Sequence, residues 1–517
     1  MHLTLPSPLS AAFGLLAVLG ASTARADTLF VDPVGGDDGS GNGSQALPWK
    51  TLTHAMGQLP AGPNSVFLLP GEFSEASGEV FPITVPVVDD LELIGQGVGV
   101  TVVRSNGAGG ALAVNGFGTP VPTDAHSVDL RGITFDRVGV SVTGSIWGVE
   151  ATVEDAEFLD TPGNAISASG GFGFALVTAD RCRFERCLTG ASAFAAGGGS
   201  ATIYLRDCLV LDGSVGVNAD GLATLGGGGA GAGIVLLRSR IQGCTVGAQA
   251  FGNLEAGGVG VGDISLRDSI LSGNQIAFYG SDIANLQLDR STVAGNLTAV
   301  QAVGSNPADV WVLSRSSILW GNGFDVDPIN VVSIQYSNFP AGVFGVGVTH
   351  VDPLFVDAAN GDFHLQVGSP LIDAGNPSEA PADLFEGDLD PRLIDGDGDG
   401  TARVDMGFDE WNPGHLDLAG TAQIATVATF TTSAPAASAY ALLASLGTAQ
   451  VPFGPSGAVL IDLGSSFVLS AGTVTGVDAI AIPNDPVLIG LELFAQAYTN
   501  NGFDETLTNR VDLTLAP

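Results

Sequence analysis

An imperfect repeat of apolar and small residues runs through the middle of this 517-residue chain. Segments such as VDLRGITF, IYLRDCLV and ISLRDSIL recur 21 to 31 residues apart and alternate apolar with polar residues. The repeats share one anchor position, occupied by Leu130, Val153, Ala179, Leu205, Leu236, Leu266, Leu288, Leu313 and Ile334. A single repeat is too small to bury its own apolar face, so we expect the copies to stack on one another.

Further columns of similar residues accompany the anchor. The positions two before it and five after it are apolar, as in Trp311 and Ile318 around Leu313. From the second repeat onward, the position three after it is small: Ala156, Cys182, Cys208, Ser239, Ser269, Ser291, Ser316 and Ser337. A two-residue period indicates short strands, whereas a helical solenoid would show a period of about 3.6. The sequence therefore predicts an all-β solenoid whose parallel strands stack about 4.8 Å apart.

A row of alternating charges lies two residues after the anchor. It consists of Asp155, Arg181, Asp207, Arg238, Asp268 and Arg290. Stacking places opposite charges on neighbouring turns, which predicts a surface ion ladder in which each pair contributes about 0–1 kcal/mol. The alternation favours this structural role over an arginine cluster for an anionic glycan.

All four cysteines lie in the repeats. Cys182 and Cys208 occupy the same column in adjacent repeats, so their Cα atoms are expected at a distance that a disulfide can span. Cys187 and Cys244 share another column but are two repeats apart, which is too far. Two outcomes are open for the first pair: a disulfide or a stack of buried thiols.

The beginning of the chain suggests an exported protein. Residues 1–26 have an apolar run and an Ala24-Arg25-Ala26 cleavage pattern, although the usual leading Lys or Arg is missing. No later stretch is long and apolar enough to predict a membrane span. The net charge of −37 argues against nucleic acid as a partner and disfavours polyuronates unless a cation bridges them. We expect a monomer that is secreted or held at the cell surface.

Two domains follow the signal-like segment. A β-helix is predicted over 27–411, with a cap over 27–65 that contains a helix at Pro48–Leu59, and a closing segment over 351–411. From residue 412 the repeats stop and seven short alternating runs begin. They predict a β-sandwich over 412–517, an accessory or attachment module.

The two ends of the predicted β-helix domain also resemble those of a known family of proteins. The stretch TLFVDPVGGDDGSGNGSQALPWKTLTHAM, followed by VFLLPGEF and LELIGQG, resembles the start of exported proteins of the pectin-lyase-like superfamily. The stretches VDPLFVDAANGDFHLQVGSPLIDAGNP and DPRLIDGDGDGTARVDMGFDE are similar to the closing segment of the choice-of-anchor group. The resemblance implies a right-handed parallel β-helix with an N-terminal cap helix, and it implies little about activity.

An aspartate-rich loop in the closing segment is the best candidate for a metal site. Alternate carboxylates with a glycine in the sixth position suit a calcium ion, although an EF-hand would need an acid where Met406 stands. The predicted ligands of this structural Ca²⁺ are Asp395, Asp397, Asp399, Asp405 and Asp409. The alternative is a solvated acidic turn.

Catalysis has little support in the sequence. Pectate lyases combine calcium-binding acids with a basic residue, but the single lysine, Lys50, lies in the cap. Galacturonan hydrolases carry an adjacent aspartate pair and a Gly-His-Gly turn, and the repeats contain neither. We assign no catalytic residue and predict a non-catalytic protein that contacts an extracellular polysaccharide or a cell-surface component. A polysaccharide lyase or glycoside hydrolase is the alternative.

Overall fold

The structure is a computed structural model, and most of the chain beyond the signal-like segment is described in it. The described residues are 27–60, 63–86, 90–107, 109–115, 126–144, 148–224, 229–255, 258–303, 310–326, 330–379, 390–397, 399, 401–412, 414–419, 422–433, 439–452, 458–472, 477–500 and 505–516. The predicted signal at 1–26 therefore lies outside them.

Three parallel sheets wind around one core, and each full turn contributes one strand to each sheet. Sheet 1 has strands Asp27–Val31, Asn64–Leu68, Leu91–Ile94, His126–Arg131, Val149–Glu154, Phe174–Asp180, Ser200–Arg206, Ala230–Leu237, Gly258–Arg267, Ala284–Asp289, Val310–Arg315 and Asn330–Gln335, and the short strand Asn253–Glu255 pairs antiparallel at its side. Sheet 2 has strands Gly71–Phe73, Thr101–Arg104, Thr134–Asp136, Glu157–Leu159, Arg183–Glu185, Leu209–Leu211, Arg240–Gln242, Ile270–Ser272, Thr292–Ala294 and Ile318–Trp320. Sheet 3 has strands Ile83–Val85, Gly110–Asn115, Val138–Gly144, Asn164–Gly170, Thr189–Ala196, Val215–Leu222, Val246–Phe251, Ile276–Ser281, Thr298–Val303 and Phe324–Val326.

The predicted parallel β-helix is confirmed by the strand pairing. Leu205, Leu236 and Leu266 are direct partners on successive strands of sheet 1 and are fully buried. The aromatic column stacks in the same way, with ring centroids 4.9 Å and 5.1 Å apart along Phe135, Phe158 and Phe184. Inward-pointing side chains of one column thus lie on top of one another, which buries every repeat except those at the ends.

The register predicted for one repeat, the one anchored at Leu313, is wrong by one residue. Leu288 pairs with Ser314, so Val312 points into the core and Leu313 is 37% exposed. Trp311 lies outside with it. A slip of one residue moves every side chain of a strand to the opposite face, and here two neighbouring apolar residues made either register possible. Ser317 and Leu319 accordingly take the core columns that were assigned to Ser316 and Ile318.

Polar columns hold the later turns together inside the core. The hydroxyl oxygens of Ser239, Ser269, Ser291, Ser317 and Ser337 each accept a backbone N–H from the preceding turn. Beside them, the side-chain oxygens of Asn274, Asn296 and Asn322 do the same. These bonds satisfy turn amides that would otherwise be buried without a partner. The cysteines earlier in the same columns are all free and buried, so the thiol stack and not the disulfide is present.

Each turn also contains left-handed residues. The charged row between sheets 1 and 2 has positive φ throughout, from 43° at Arg290 to 53° at Asp207. A second row lies between sheets 2 and 3, and its members are Arg137, Asp160, Arg186, Asp212, Gly243, Gly273, Gly295 and Gly321. Left-handed backbone suits Gly and Asp. Within both rows, arginines bond the aspartate of the preceding turn, as Arg181 does to Asp155 at 2.7 Å and Arg186 to Asp160 at 2.7 Å.

The helix of the N-terminal cap is shorter than the predicted Pro48–Leu59. The helix is Leu52–Gln58, because Thr51 caps it by accepting the His54 N–H and the preceding residues form a loop. Leu52, Ala55 and Met56 are buried against the first turns.

The C-terminal region is antiparallel, as predicted. One sheet contains His415–Ala419, Val427–Ser433 and Val477–Ala481, a second contains Ala439–Ser445, Phe467–Gly472, Glu492–Asn500 and Glu505–Thr514, and Thr448–Pro452 pairs with Ala458–Ile461. The first two sheets share a core that includes Leu416, Phe430, Leu442 and Ala497. In the described ranges, no helix has the length and apolar character needed to cross a bilayer.

Candidate functional site

The closing segment turns back and covers the outer face of sheet 2. It contains the strands Phe355–Asp357 and Asp362–Leu365, joined by a short 3-10 turn at Ala358–Asn360. Its apolar side chains pack on the last turns in two clusters, whose members include Phe363 and Phe408 against Ile270, and Leu371 and Met406 against Ile318. The backbone of Gly407 donates to the Ser316 carbonyl at 2.8 Å. The closing segment therefore covers one side of the last turns of the β-helix.

A buried ion network attaches the closing segment to the charged row. The guanidinium of Arg392 is fully buried, and it donates to the Asp268 carboxylate at 2.6 Å and lies 3.5 Å from Glu410. Asp268 also accepts from Arg290, which in turn contacts Glu379 of the closing segment. Burial raises the pKa of Glu410 to about 7, and the charge of Arg392 opposes that rise. The network carries charges of both signs, which is the condition for burying them.

Three aspartates of the closing segment bring their carboxylates together. One oxygen from each of Asp373, Asp395 and Asp397 lies within 4.8 Å of the others. Asp373 is buried, and its carboxylate accepts the backbone N–H groups of Gly396, Asp397 and Arg403 at 2.7–2.9 Å. Burial raises the pKa of Asp373, and the charge of Asp397 raises it further.

The donor set of this aspartate triad fits a hard divalent cation. Carboxylate oxygens are the ligands that Ca²⁺ prefers, and a carboxylate can accept hydrogen bonds and still bind a metal through its remaining lone pairs. The backbone bonds to Asp373 hold the loop of Asp395 and Asp397 in place. A metal site of three aspartates is thus available, with Asp373 buried, Asp395 half-buried and Asp397 exposed. A cation there would offset the repulsion among them.

The five predicted ligands lie in different surroundings. Asp395 and Asp397 belong to the triad, whereas Asp399 is exposed and lies 3.8 Å from Arg403. Asp405 is buried and accepts the N–H groups of Asp373 and Trp411, and Asp409 accepts that of Leu365. These last two carboxylates fix the backbone around the triad. Gly398 and Gly400 of the loop lie outside the described residues.

Sequence reasoning missed Asp373. It stands in SPLIDAGNP, 22 residues before Asp395, where no metal-ligand spacing indicates it. Its φ of 54° places it in the left-handed region, which aims its carboxylate at the later loop. Asp37 and Asp38, an adjacent pair of acids in the cap, bind backbone amides there, including those of Gly39 and Lys50.

The outer face of sheet 3 is the second candidate site, because its central row is polar and uncharged. The row consists of Ser141, Ser167, Ser192, Asn218, Gln249, Tyr279 and Gln301, one from each successive turn. Gln249 donates to Asn218 at 3.0 Å, and Asn218 donates to Ser192 at 3.1 Å. A parallel row beside it contains Phe194, Asp220 and Phe251. In the described part of these two rows, Asp220 is the one carboxylate.

A shallow cleft of about 320 Å³ opens at one end of this face. Its lining comprises Gly109, Gly110, Ala111, Gly139, Val140, Ser141, Thr161, Pro162, Gly163, Asn164 and Ser167. The lining offers hydroxyl and amide groups and no carboxylate, guanidinium or ammonium. The uncharged row continues from the cleft along the solenoid axis.

The outer face of sheet 1 is charged by contrast. Burial raises the pKa of Asp129 and of Asp180, which lie two turns apart. Arg131 binds Glu154 at 2.9 Å, and Arg206 lies 4.0 Å from Asp180. The acids of this face therefore have basic neighbours.

Comparisons with known proteins find similarity to one family model and to solved structures. Residues 34–161 match the family described as "Protein of unknown function (DUF1565)". No curated protein matches the chain significantly. Among solved structures, pectate lyase Pel9A is similar at 14% identity over 76% of this chain and 98% of its own, with a TM-score of 0.35. ORF18 of Geobacillus virus E2 is similar at 11% identity over 89% and 79%, with a TM-score of 0.32. The parallel β-helix itself is shown by the strand pairing, and activity must be argued from the sites.

Proposed function

We propose that this protein is a non-catalytic, extracellular or cell-surface β-helix protein that binds a neutral polysaccharide on the outer face of sheet 3. The observation that carries the proposal is the uncharged cleft, whose lining includes Ser141 and Ser167, together with the polar row that continues from it. Sugar hydroxyls need hydrogen-bonding partners of this kind, in a site that fixes the ligand by a few well-placed polar groups.

Charge favours a neutral ligand over an acidic one. The chain has 54 acidic and 17 basic residues, so its field repels nucleic acids and polyuronates. A neutral glycan experiences no such repulsion. The serine, asparagine and glutamine side chains of the row also bind one another, so less conformational freedom is lost when a ligand takes their remaining donors and acceptors.

The same face lacks the groups of a glycosidase. Glycoside hydrolysis uses two carboxyl groups placed about 5–10 Å apart across the scissile bond. The described part of the two rows offers Asp220 alone. Binding without turnover is the chemistry that this surface supports.

The second part of the proposal is that calcium bound at the aspartate triad has a structural role. In this proposal Asp373, Asp395 and Asp397 hold a Ca²⁺ ion that stiffens the closing segment next to the C-terminal sheets. Asn412 connects the two regions by donating to Asp390 and to the Leu507 carbonyl. Export through the signal-like segment at 1–26 would place the protein where millimolar calcium and polysaccharides are both present.

A panel of polysaccharides tests the proposal. The mature chain is mixed with neutral glycans and with polygalacturonate, in calcium or in chelator, and both retention and released sugar ends are measured. We expect retention on at least one neutral glycan without new reducing or unsaturated ends. Release of such ends, or retention on polygalacturonate alone, would contradict the proposal.

A lyase or hydrolase is the second candidate, favoured by the outer face of sheet 1. Asp129 and Asp180 have raised pKa values there, and Arg131 and Arg206 lie close to acids of the same face. If the panel shows product formation, Asp129→Asn and Asp180→Asn should abolish it under this alternative. Product formation that survives both substitutions would exclude this face as the active site.

A further inference from the structure

Asp220 stands between two aromatic rings on the neutral face. Its direct partners in register are Phe194 on the preceding turn and Phe251 on the following turn. Its side chain is half-buried, and it makes no hydrogen bond or ion pair with any residue that the structure describes. Burial alone raises its pKa. The carboxylate therefore keeps acceptor capacity that a ligand can use.

The neighbours of Asp220 complete a patch that spans three turns. Gln249, Asn218 and Ser192 lie on the adjacent row and hold one another by hydrogen bonds of 3.0 Å and 3.1 Å. The ring of Phe251 also contacts that of Tyr279, with centroids 5.9 Å apart. The patch thus combines one charged acceptor, several neutral donors and aromatic faces.

We infer that Asp220, Phe194, Phe251 and Gln249 form a sugar subsite for a neutral pyranose that has two adjacent equatorial hydroxyls. The two hydroxyls donate to the two carboxylate oxygens of Asp220, while the C–H face of the ring packs on an aromatic side chain. A hydrogen bond to a carboxylate is stronger than one to a neutral acceptor, and stronger again where water is partly excluded. This inference rests on the proposed function and adds the class of sugar to it.

The repeat of the surface favours an extended glycan over a peptide. Equivalent positions recur about every 4.8 Å along the axis, one per turn. An extended peptide presents the side chains of one face at roughly 6.6 Å intervals, twice its rise per residue, so it would lose register within two turns. A glycan built from equatorially linked rings is extended and repeats its hydroxyls ring by ring. From Ser167 in the cleft to Tyr279 is four strand spacings, roughly 19 Å, so one chain could reach both.

Calorimetry with defined oligosaccharides tests the subsite. Cellohexaose and mannohexaose are the neutral probes, and trigalacturonate is the charged comparison. The variants are Asp220→Asn, which keeps the shape and removes the charge, and Phe251→Ala. Matched controls are Asp263→Asn and Tyr204→Ala, an acid and an aromatic residue on the outer face of sheet 1. Circular dichroism and melting establish that each variant is folded.

We expect cellohexaose to bind, Asp220→Asn to weaken binding about tenfold to hundredfold, and Phe251→Ala to weaken it about threefold to tenfold. The controls should bind as the natural chain does. If cellohexaose or mannohexaose binds and neither variant changes the affinity, the subsite is wrong and the proposed function stands. If only trigalacturonate binds, or no neutral glycan is retained in the polysaccharide panel, the subsite and the proposed function both fall.

Discussion

The row of left-handed residues between sheets 1 and 2 passes through two environments. At the start of the row, Arg181 and Asp155 are 56% and 48% exposed, and the pair faces water. At the end of the row, Arg290 and Asp268 are 10% and 2% exposed, because the closing segment lies over them. The same pair of residue types, at the same backbone positions, is a surface contact in one place and part of a buried network in the other.

The difference shows how one repeat can serve two purposes. An exposed ion pair gains little, since water solvates both charges and the side chains lose freedom. A buried ion pair needs further charged or hydrogen-bonding partners, because a buried charge without a partner is strongly destabilising. The closing segment supplies those partners as Arg392 and Glu379. The row therefore fixes the place where the closing segment attaches.

Among the substitutions that test this comparison, removal of Arg392 should lower the free energy of unfolding most. Arg392→Met keeps the volume of the side chain but leaves Asp268 and Glu410 without its charge. We expect the free energy of unfolding to fall by about 3–5 kcal/mol, measured by urea denaturation. A loss below 1 kcal/mol would mean that the network contributes no more than a surface pair.

The aspartate triad should show an intermediate effect, because the Asp373 carboxylate holds its loop through three backbone hydrogen bonds. Asp373→Asn removes a ligand and one charged acceptor of the backbone bonds, so we expect a loss of about 1–3 kcal/mol. A chelator should lower the melting temperature of the natural chain in calcium and leave that of the variant unchanged. The exposed Asp352→Asn serves as the control and should respond as the natural chain does. An identical response of the natural chain and the Asp373 variant to chelator would contradict the metal site.

Removal of Arg181 should have the smallest effect. Arg181→Met breaks an exposed bidentate pair with Asp155 and leaves both side chains in water. We expect a change of about 0–1 kcal/mol, which shrinks further in high salt. Urea denaturation at two salt concentrations measures it. A loss as large as that of Arg392→Met would show that exposure does not govern the strength of the row.

The repeat made the solenoid predictable, since it requires only that apolar positions recur and stack. Leu205, Leu236 and Leu266 follow from spacing alone. The slip at Leu313 arose because Val312 and Leu313 are both apolar, so hydrophobicity could not choose between two registers. Long-range hydrogen bonding decided it, and a sequence does not display that bonding.

The candidate sites were harder to predict for the same reason. Asp395 and Asp397 are visible as a motif, but Asp373 joins them through the return of the chain. Asp220 looks like any acid at the end of a strand, and its position between Phe194 and Phe251 exists only once three turns are stacked. Local patterns reveal the chemistry that lies close together in the chain, whereas these contacts cross whole turns.

The four reduced cysteines can report how often neighbouring turns of this solenoid separate. They are at most 3% exposed, and burial raises the pKa of Cys187, Cys208 and Cys244, so a thiol reagent in solution finds no reactive thiolate while the coils stay closed. Labelling can proceed only when neighbouring coils separate. The rate of labelling therefore reports how often the middle turns of the solenoid separate, and no external probe is needed.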